Sequence, residues 1–564
     1  MIERTLEAAI ILHKSGHVEE AEKQYQQFIA ENPKNADAQH LLGILWGQQG
    51  RFKEALAPLH AALAIDPDSS SFHNSLGNVE KHLGHVDQAI FHYQEALKFP
   101  SASSAVHNNL GTLYHLKKQW PEAILCYQKA IEIREDYADA HYNLANTLTE
   151  LTQYSAAIIA LNLTLKYQPN HLPALFHLAQ LQLQQQNPEQ AILYYEHCLK
   201  LEPNHVEAHH QLAVALTQQN RLEEAITHYQ KTLRLYPKHQ EALHNLGAIY
   251  VIQQKPALAL PCYLKRLEFQ ADFDTYYNIG VIYLHQNKHD DAITYLNEAL
   301  KLEPQAFNVY VNLGAIYLKK EATEKAIFYY EQALSLKPKD PELLYILAAI
   351  CQKPAPTHTP KAYIEHLFDQ YAPHFDQHLM QQLNYCVPDL LLKAAYPILD
   401  KNLPMETILD LGCGTGLCGE KFRPYAKKII GIDMSENMLA IAGGKKIYDT
   451  LDHISIDDAL QKYTSIDLII AGDVFGYVGD LARTFLLATK TLKKQGYFIF
   501  STEKTWEADC KLQINARFAH HSTYIKTLAQ KYAFEILHHE NAIIRQQKEK
   551  PLAGNIWVLI NRHL

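Results

Sequence analysis

Glycine is scarce in this chain. It supplies 22 of 564 residues, about 4% where globular proteins average about 7%. Few glycines beside 34 tyrosines favour a helix-rich protein. The shortage is uneven. Ten glycines lie before residue 350 and twelve after residue 410, which predicts two kinds of architecture in one chain. Basic charge is also short: Lys plus Arg is 52, Asp plus Glu 61, and the formal charge −9. That balance argues against a strongly basic nucleic-acid binder. No run approaches the roughly 20 apolar residues a membrane-spanning helix needs. Met1–Gly16 lacks the basic start, apolar core and small-residue cleavage site of a secretory signal. The eight cysteines form no C-x-x-C pair, so no disulfide or zinc framework is expected. Reduced thiols and a cytoplasmic location are. What is present excludes a largely disordered chain, with 47% hydrophobic and 20% charged residues. At about 150 residues per domain, the length alone suggests three or four units.

The dominant pattern before residue 350 is a repeat. A small residue recurs at Ala9, Gly43, Gly77, Gly111, Ala145, Ala179, Ala213, Gly247, Gly280 and Gly314, at steps of 34 seven times, then 33, then 34. An alanine recurs in phase from Ala21 to Ala326, and a proline at 33, 67, 100, 169, 203, 237, 304 and 338. The physical reading is a helical hairpin. Two helices cross closely where side chains are small, and the large residue four after the second alanine (Tyr25, Tyr93, Tyr127, Tyr195, Tyr229, Tyr263) fills the space beside the crossing. Arg134 and Gln270 stand where proline is expected, and Leu161 replaces the packing tyrosine. Most of the 32 histidines lie on these helices, where solvated or capping roles are expected.

Period and order resemble the tetratricopeptide repeat, over residues 1 to about 340 with a closing helix near Pro338–Cys351. The resemblance implies an all-α solenoid, a right-handed superhelix with a concave binding face. Two residues before the small position stand Asn109, Asn143, Asn245, Asn278 and Asn312, interrupted by His177 and Gln211. This series resembles the asparagine ladder inside the repeat domain of O-GlcNAc transferase, which implies protein or peptide partners held by their backbone. The alternative is that the amides bond neighbouring helices or water.

Gln352–Pro360, QKPAPTHTP, is a proline-rich break. It is followed by a helical pattern to Asp400, expected either to cover a cofactor, with Tyr371 against it, or to pack on a sheet edge. The expected domains are therefore 1–351 (repeats), 352–400 (linker and capping helices) and 401–564.

The last segment reads as an α/β Rossmann-like domain. Strand Glu406–Leu411 runs into Gly412-Cys413-Gly414-Thr415-Gly416, and Lys428–Asp433 forms a second strand ending in an acid. A glycine turn after a strand lets backbone approach a ligand closely. A lone G-x-G-x-x-G is a weak signal. L-D-L-G-C-G-T-G together with G-I-D-M-S-E-N-M-L is stronger and resembles the class I S-adenosylmethionine-dependent methyltransferases. That resemblance implies a seven-stranded sheet and S-adenosyl-L-methionine as cofactor. It implies Gly412, Cys413, Gly414 and Gly416 beneath the methionine part, Asp410 near its amino group, and Asp433 with Met434 at the ribose. Asp458, with Asp457 as alternate, and Ala459 fall at the adenine, and Asp473 borders the cofactor. The segment after the fourth strand is D-V-F-G-Y rather than N-P-P-Y or D-P-P-Y, which speaks against methylation of exocyclic amines or glutamine amides. F-D-Q-Y-A-P-H-F-D-Q-H-L and Arg517-Phe518-Ala519-His520 extend the likeness to bacterial methyltransferases that carry N-terminal tetratricopeptide repeats, although that family has Tyr and Ser where Phe518 and His521 stand.

The family's cofactor brings an already activated methyl group, so the protein's task is alignment and, for some acceptors, a base. His520, His521 and Glu503 are the base candidates, and Tyr477 is placed to shape the methyl pocket. No metal is expected. The resulting expectation is a methyltransferase that recruits protein substrates through its repeats, with no nucleic-acid or membrane partner. Two alternatives remain: a scaffold whose domain binds cofactor without transfer, and a small-molecule O- or C-methyltransferase.

Overall fold

The computed structural model describes all residues except 1, 100–102, 354–355, 400–403, 508, 548–549 and 564. The recurring Pro100, part of the proline-rich break and the expected boundary at 400 lie outside them. The chain divides into two compact units, Met1–Ala271 and Asp272–Leu564.

In the first unit the described residues form sixteen helices of 11 to 14 residues, paired into hairpins from Ile2–Lys14 with Val18–Glu31 to Gln240–Ile252 with Pro256–Leu267. The crossing is as tight as the spacing predicts. A Cβ built on Gly77 would stand 2.7 Å from Tyr93 Cε1, and one on Gly111 2.6 Å from Tyr127 Cε1. Both tyrosines are buried. Each hairpin turn contains one left-handed residue. It is Gly16, Gly50 and Gly84 in the first three hairpins, then Lys118, Thr152, Gln186, Asn220 and Gln254. Glycine is thus scarce partly because non-glycine residues hold a conformation that costs them about 1–2 kcal/mol. Three histidines do cap helices. His171, His205 and His239 accept the backbone N–H groups of Ala174, Ala208 and Ala242 through Nδ1 at 3.1, 3.1 and 3.3 Å.

The second unit opens with two further hairpins, Phe273–His285 with His289–Leu302 and Phe307–Lys319 with Thr323–Leu336, and a closing helix Pro341–Ile350. The linker that follows is stitched to the α/β domain. Thr359 N–H donates to the Tyr477 carbonyl at 3.2 Å, and the Gly479 and Asp480 N–H groups donate to the Thr357 carbonyl at 2.9 and 3.0 Å. Helices Lys361–Tyr371 and Val387–Leu399 then lead into the sheet.

The strands are β1 (Met405–Leu411), β2 (Ala426–Asp433), β3 (Thr450–His453), β4 (Ile466–Ala471), β5 (Leu492–Glu503), β6 (Cys510–Leu512), β7 (Phe518–His520), β8 (Phe534–Gln547) and β9 (Lys550–Asn561). Seven of them form one sheet in the order β3-β2-β1-β4-β5-β9-β8, and β6 pairs with β7 separately. The first five run parallel, and β9 and β8 close the sheet antiparallel. Apolar clusters around Phe485 and Phe498 on one face and Ile408 and Ile470 on the other bury both sides. This is the Rossmann-like layering that near-continuous apolar strands require.

Candidate active site

A cavity of about 540 Å³ opens beyond the carboxyl ends of β1, β2 and β4, where open parallel sheets bind ligands. Its floor is the glycine turn. Gly412 and Gly414 have φ of +63° and +54°, and a Cβ on Gly412 would meet Val474 Cγ2 at 2.7 Å. A Cβ on Gly414 would meet only Phe375, at 3.9 Å, which leaves that backbone open to the cavity. Asp433 fixes the turn: its carboxylate accepts the N–H groups of Gly414 and Ser435, each at 2.9 Å. Burial raises its pKa and these donors oppose the rise.

Helix Lys361–Tyr371 forms a wall of the cavity through Ile364, Phe368 and Tyr371. Two acids tie this region to the turn. Asp369 accepts from the Ser435 hydroxyl at 2.5 Å, and Asp376 accepts from the Thr415 hydroxyl and from Lys445. The segment does both: Lys361–Tyr371 lies by the glycine turn, while Val387–Leu399 packs on the sheet with Ile408, Ile470 and Val558.

Several expected site residues line the cavity: Gly412, Cys413, Gly414, Asp433, Met434, Asp473, Tyr371 and Tyr477. Others do not. Asp410 lies behind the turn, 1% exposed, where its carboxylate accepts from the Tyr448 hydroxyl at 2.7 Å. Burial pushes its pKa up to about 7. It is not among the residues that line the cavity, and its other oxygen, Oδ1, is buried without a hydrogen-bond partner. Gly416, with φ of +96°, caps the next helix. Asp458 is exposed and accepts from the Ser455 hydroxyl at the start of helix Ile456–Lys462, while Asp457 lines the cavity. Ala459 packs into the core.

The base candidates need the larger correction. His520 is fully buried; its Nε2 pairs with the Gly479 carbonyl at 3.0 Å, and burial lowers its pKa to about 4. His521 caps helix Ser522–Lys531 by accepting from Thr523 N–H. Neither lines the cavity. Glu503 does not line it either. It is 1% exposed and accepts from Arg517 Nε at 2.5 Å and Arg545 Nη2 at 2.6 Å. Both guanidiniums meet the same oxygen, Oε1, of a residue outside the cavity lining.

Two residues given no role in the sequence do line the cavity: Arg517 and Arg545. Both also hold Asp473, Arg517 through a 2.6 Å bond to Oδ1 and Arg545 through Oδ2. Arg517 donates to the Tyr477 hydroxyl oxygen at 2.6 Å and lies over its ring, 4.5 Å from the centroid. Burial works against the Arg517 charge, but the facing carboxylates more than offset it and hold the pKa well above the ordinary value. The signal for Arg517 was its place in the R-F-A-H element. Arg545 comes from near the end of β8 and carries no motif.

In the repeats, Asn109 donates to Asn78 and Asn143 to Asn108, each at 3.0 Å, so these two amides bridge neighbouring helices. Among the described residues one cluster has metal-like spacing: Glu207, His210 and His239, with potential ligand atoms within 4.8 Å of one another. His239 Nδ1 already accepts the Ala242 N–H. The ring proton then sits on Nε2, facing Glu207 at 3.6 Å. A metal there would have to displace that proton and break the helix cap.

Comparison with known proteins agrees with this geometry. Residues 375–539 match the family described as "Methyltransferase domain". Residues 6–70, 204–272 and 271–339 match models described as "Tetratricopeptide repeat", and 113–152 one described as "TPR repeat". Residues 150–232 match the model for "Anaphase-promoting complex, cyclosome, subunit 3". The ubiquinone biosynthesis O-methyltransferase of Bartonella quintana (strain Toulouse) is 32% identical over 116 residues, 19% of this chain and 46% of its own length. The biotin biosynthesis bifunctional protein BioHC of Saccharophagus degradans is 31% identical over 121 residues, 19% of this chain and 22% of its own. The chain thus spans less than half the length of either relative. A solved structure described as "Functional Characterization of Pseudomonas Aeruginosa pilF" is similar over 37% of this chain and 95% of its own, at 22% identity and a TM-score of 0.34. The chain carries tetratricopeptide repeats in its N-terminal region and a methyltransferase domain at its C-terminus. Among the described residues, no helix is long and apolar enough to cross a membrane.

Proposed function

We propose that the protein is an S-adenosylmethionine-dependent methyltransferase whose repeats bind a protein or peptide partner and bring substrate to the C-terminal domain. The observation that carries the reading is the pairing of Gly414 with Asp433: an open left-handed backbone beside a carboxylate that lines the cavity. These residues fit the cofactor. Gly412 and Gly414 would lie beneath its methionine part, Asp433 and Met434 would meet the ribose, and Asp457 would meet the adenine. S-adenosylmethionine supplies a methyl group already activated as a sulfonium. Tyr371 and Phe368 exclude water from one side, and Tyr477 and Asp473 face the place where an acceptor would sit. All eight cysteines stand as thiols, which supports a reducing, cytoplasmic setting.

The test is calorimetric titration of the full chain with S-adenosylmethionine. Wild type is expected to bind, and Asp433→Ala to bind at least ten-fold more weakly while melting as a folded protein. Asp457→Asn, at a position half open to solvent, is expected to weaken binding by a smaller factor. Absence of binding by wild type would overturn the reading.

A further inference from the structure

The cavity holds two guanidiniums, and its one lining imidazole among the described residues is at the rim; that combination bears on the acceptor. The side chains of Arg517 and Arg545 are only 12% and 8% exposed. Taking such charges from water costs several kcal/mol each, and apolar residues would fill the same space more stably. Glu503 supports both guanidiniums from outside the lining. Two of the five N–H groups of Arg545 go to Asp473 and Glu503. Tyr477 accepts from Arg517, which leaves its own proton for donation, and burial raises its pKa and keeps the phenol protonated.

The lining acids are all engaged. Asp433 holds two backbone N–H groups, Asp457 pairs with Arg483 at 2.6 Å, and Asp473 lies between two arginines. His358, exposed at the rim, is the one lining imidazole among the described residues. An alcohol, phenol or amine acceptor must lose a proton, and this wall offers it mainly donors. An acceptor that arrives already ionised needs no base and matches the donors.

We propose that Arg517 and Arg545, with the Tyr477 hydroxyl, hold the carboxylate of the methyl acceptor, so that the product is a methyl ester. The inference rests on the methyltransferase reading above. One carboxylate oxygen forms the new C–O bond as the methyl–sulfur bond breaks, and the electron pair of the broken bond stays on sulfur. The sulfonium becomes a neutral thioether, the carboxylate a neutral ester, and no proton moves. Bidentate guanidinium–carboxylate geometry would aim that oxygen. The acid is either a free small molecule or a glutamate side chain on a peptide.

The experiment uses the full chain saturated with S-adenosylhomocysteine, titrated with hexanoate, hexanamide, and a pentapeptide with central glutamate or glutamine. In at least one of the two pairs the acid is expected to bind ten-fold or more tightly than its amide. The pair that discriminates identifies the source. Arg545→Gln is expected to bring the acid down to the amide's affinity while changing S-adenosylhomocysteine affinity less than three-fold. The double variant Arg545→Gln/Glu503→Gln keeps the buried charge balanced and is expected to behave the same way. Acid and amide binding within three-fold of each other in both pairs overturns the proposal. So does a parallel loss of S-adenosylhomocysteine in the double variant, which would put the guanidinium on the cofactor's own carboxylate. Failure of wild type to bind S-adenosylhomocysteine at all would overturn the methyltransferase reading itself, and this proposal with it.

Discussion

The Tyr345 hydroxyl, on the closing helix of the repeats, donates at 2.8 Å to the carbonyl of Ala516, the residue before Arg517. The same hydroxyl meets Thr359 Oγ1 at 2.8 Å, and its ring packs against Tyr363 and Phe518. Ala516 has φ of +58°, a left-handed conformation unusual for alanine. One buried phenol on a repeat helix therefore holds the backbone that presents a cavity-lining arginine.

Replacing Tyr345 by Phe leaves the ring and removes that bond. The full chain is expected to lose about 1–3 kcal/mol in denaturant unfolding, the cost of a buried group left unpaired. S-adenosylhomocysteine affinity is expected to hold, since no residue of the glycine turn moves. Acceptor affinity is expected to fall as Arg517 loosens. Both affinities are read by calorimetry.

His520 makes the fold sensitive to acid. Its folded pKa of about 4 lies below the ordinary value of 6.5. The folded state therefore binds fewer protons than the unfolded state between these values, and stability falls as pH drops through that window. The loss by pH 4 is about 3 kcal/mol. Asp410, raised from 3.8 to about 7, acts with the opposite sign over the whole of that range. The informative quantity is therefore the difference between wild type and His520→Gln. That difference is expected to shrink from pH 7 to pH 4 in urea unfolding followed by circular dichroism.

The repeat asparagines are expected to separate into two groups. Asn109→Ala and Asn143→Ala each remove an inter-helix bond and are expected to cost about 1 kcal/mol of stability. Asn278 and Asn312 are half-buried. Their replacement by Ala is expected to leave stability within about 0.5 kcal/mol and to reduce partner recovery in a pull-down. Asn245 lies beside the Tyr229 hydroxyl, so Asn245→Ala is expected to show both effects.

The period of small residues, the tyrosines beside them and the strand–glycine–strand signature all made the architecture readable. Each depends on spacing along one chain: Gly77 meets Tyr93 because hairpin geometry is local. Asp433 and Gly414 were readable for the same reason. The acceptor side was not. Asp473, Glu503, Arg517 and Arg545 come from four separate segments, and only folding makes them one network. His520 stood among the base candidates because nothing in R-F-A-H tells a buried strand residue from an exposed one. Asp457 and Asp458 are neighbours on a helix start, and the Ser455 cap decides which of them faces outward.

The stitched linker has a practical consequence. The proline-rich stretch invites a cut, and a fragment beginning after Pro360 would keep every glycine and acid of the methyltransferase signature. It would lose Thr357 and Thr359, whose backbone pairs with residues 477–480, and Tyr345, which clasps Ala516. Silence from that fragment in an assay would report a missing collar and leave the chemistry unjudged.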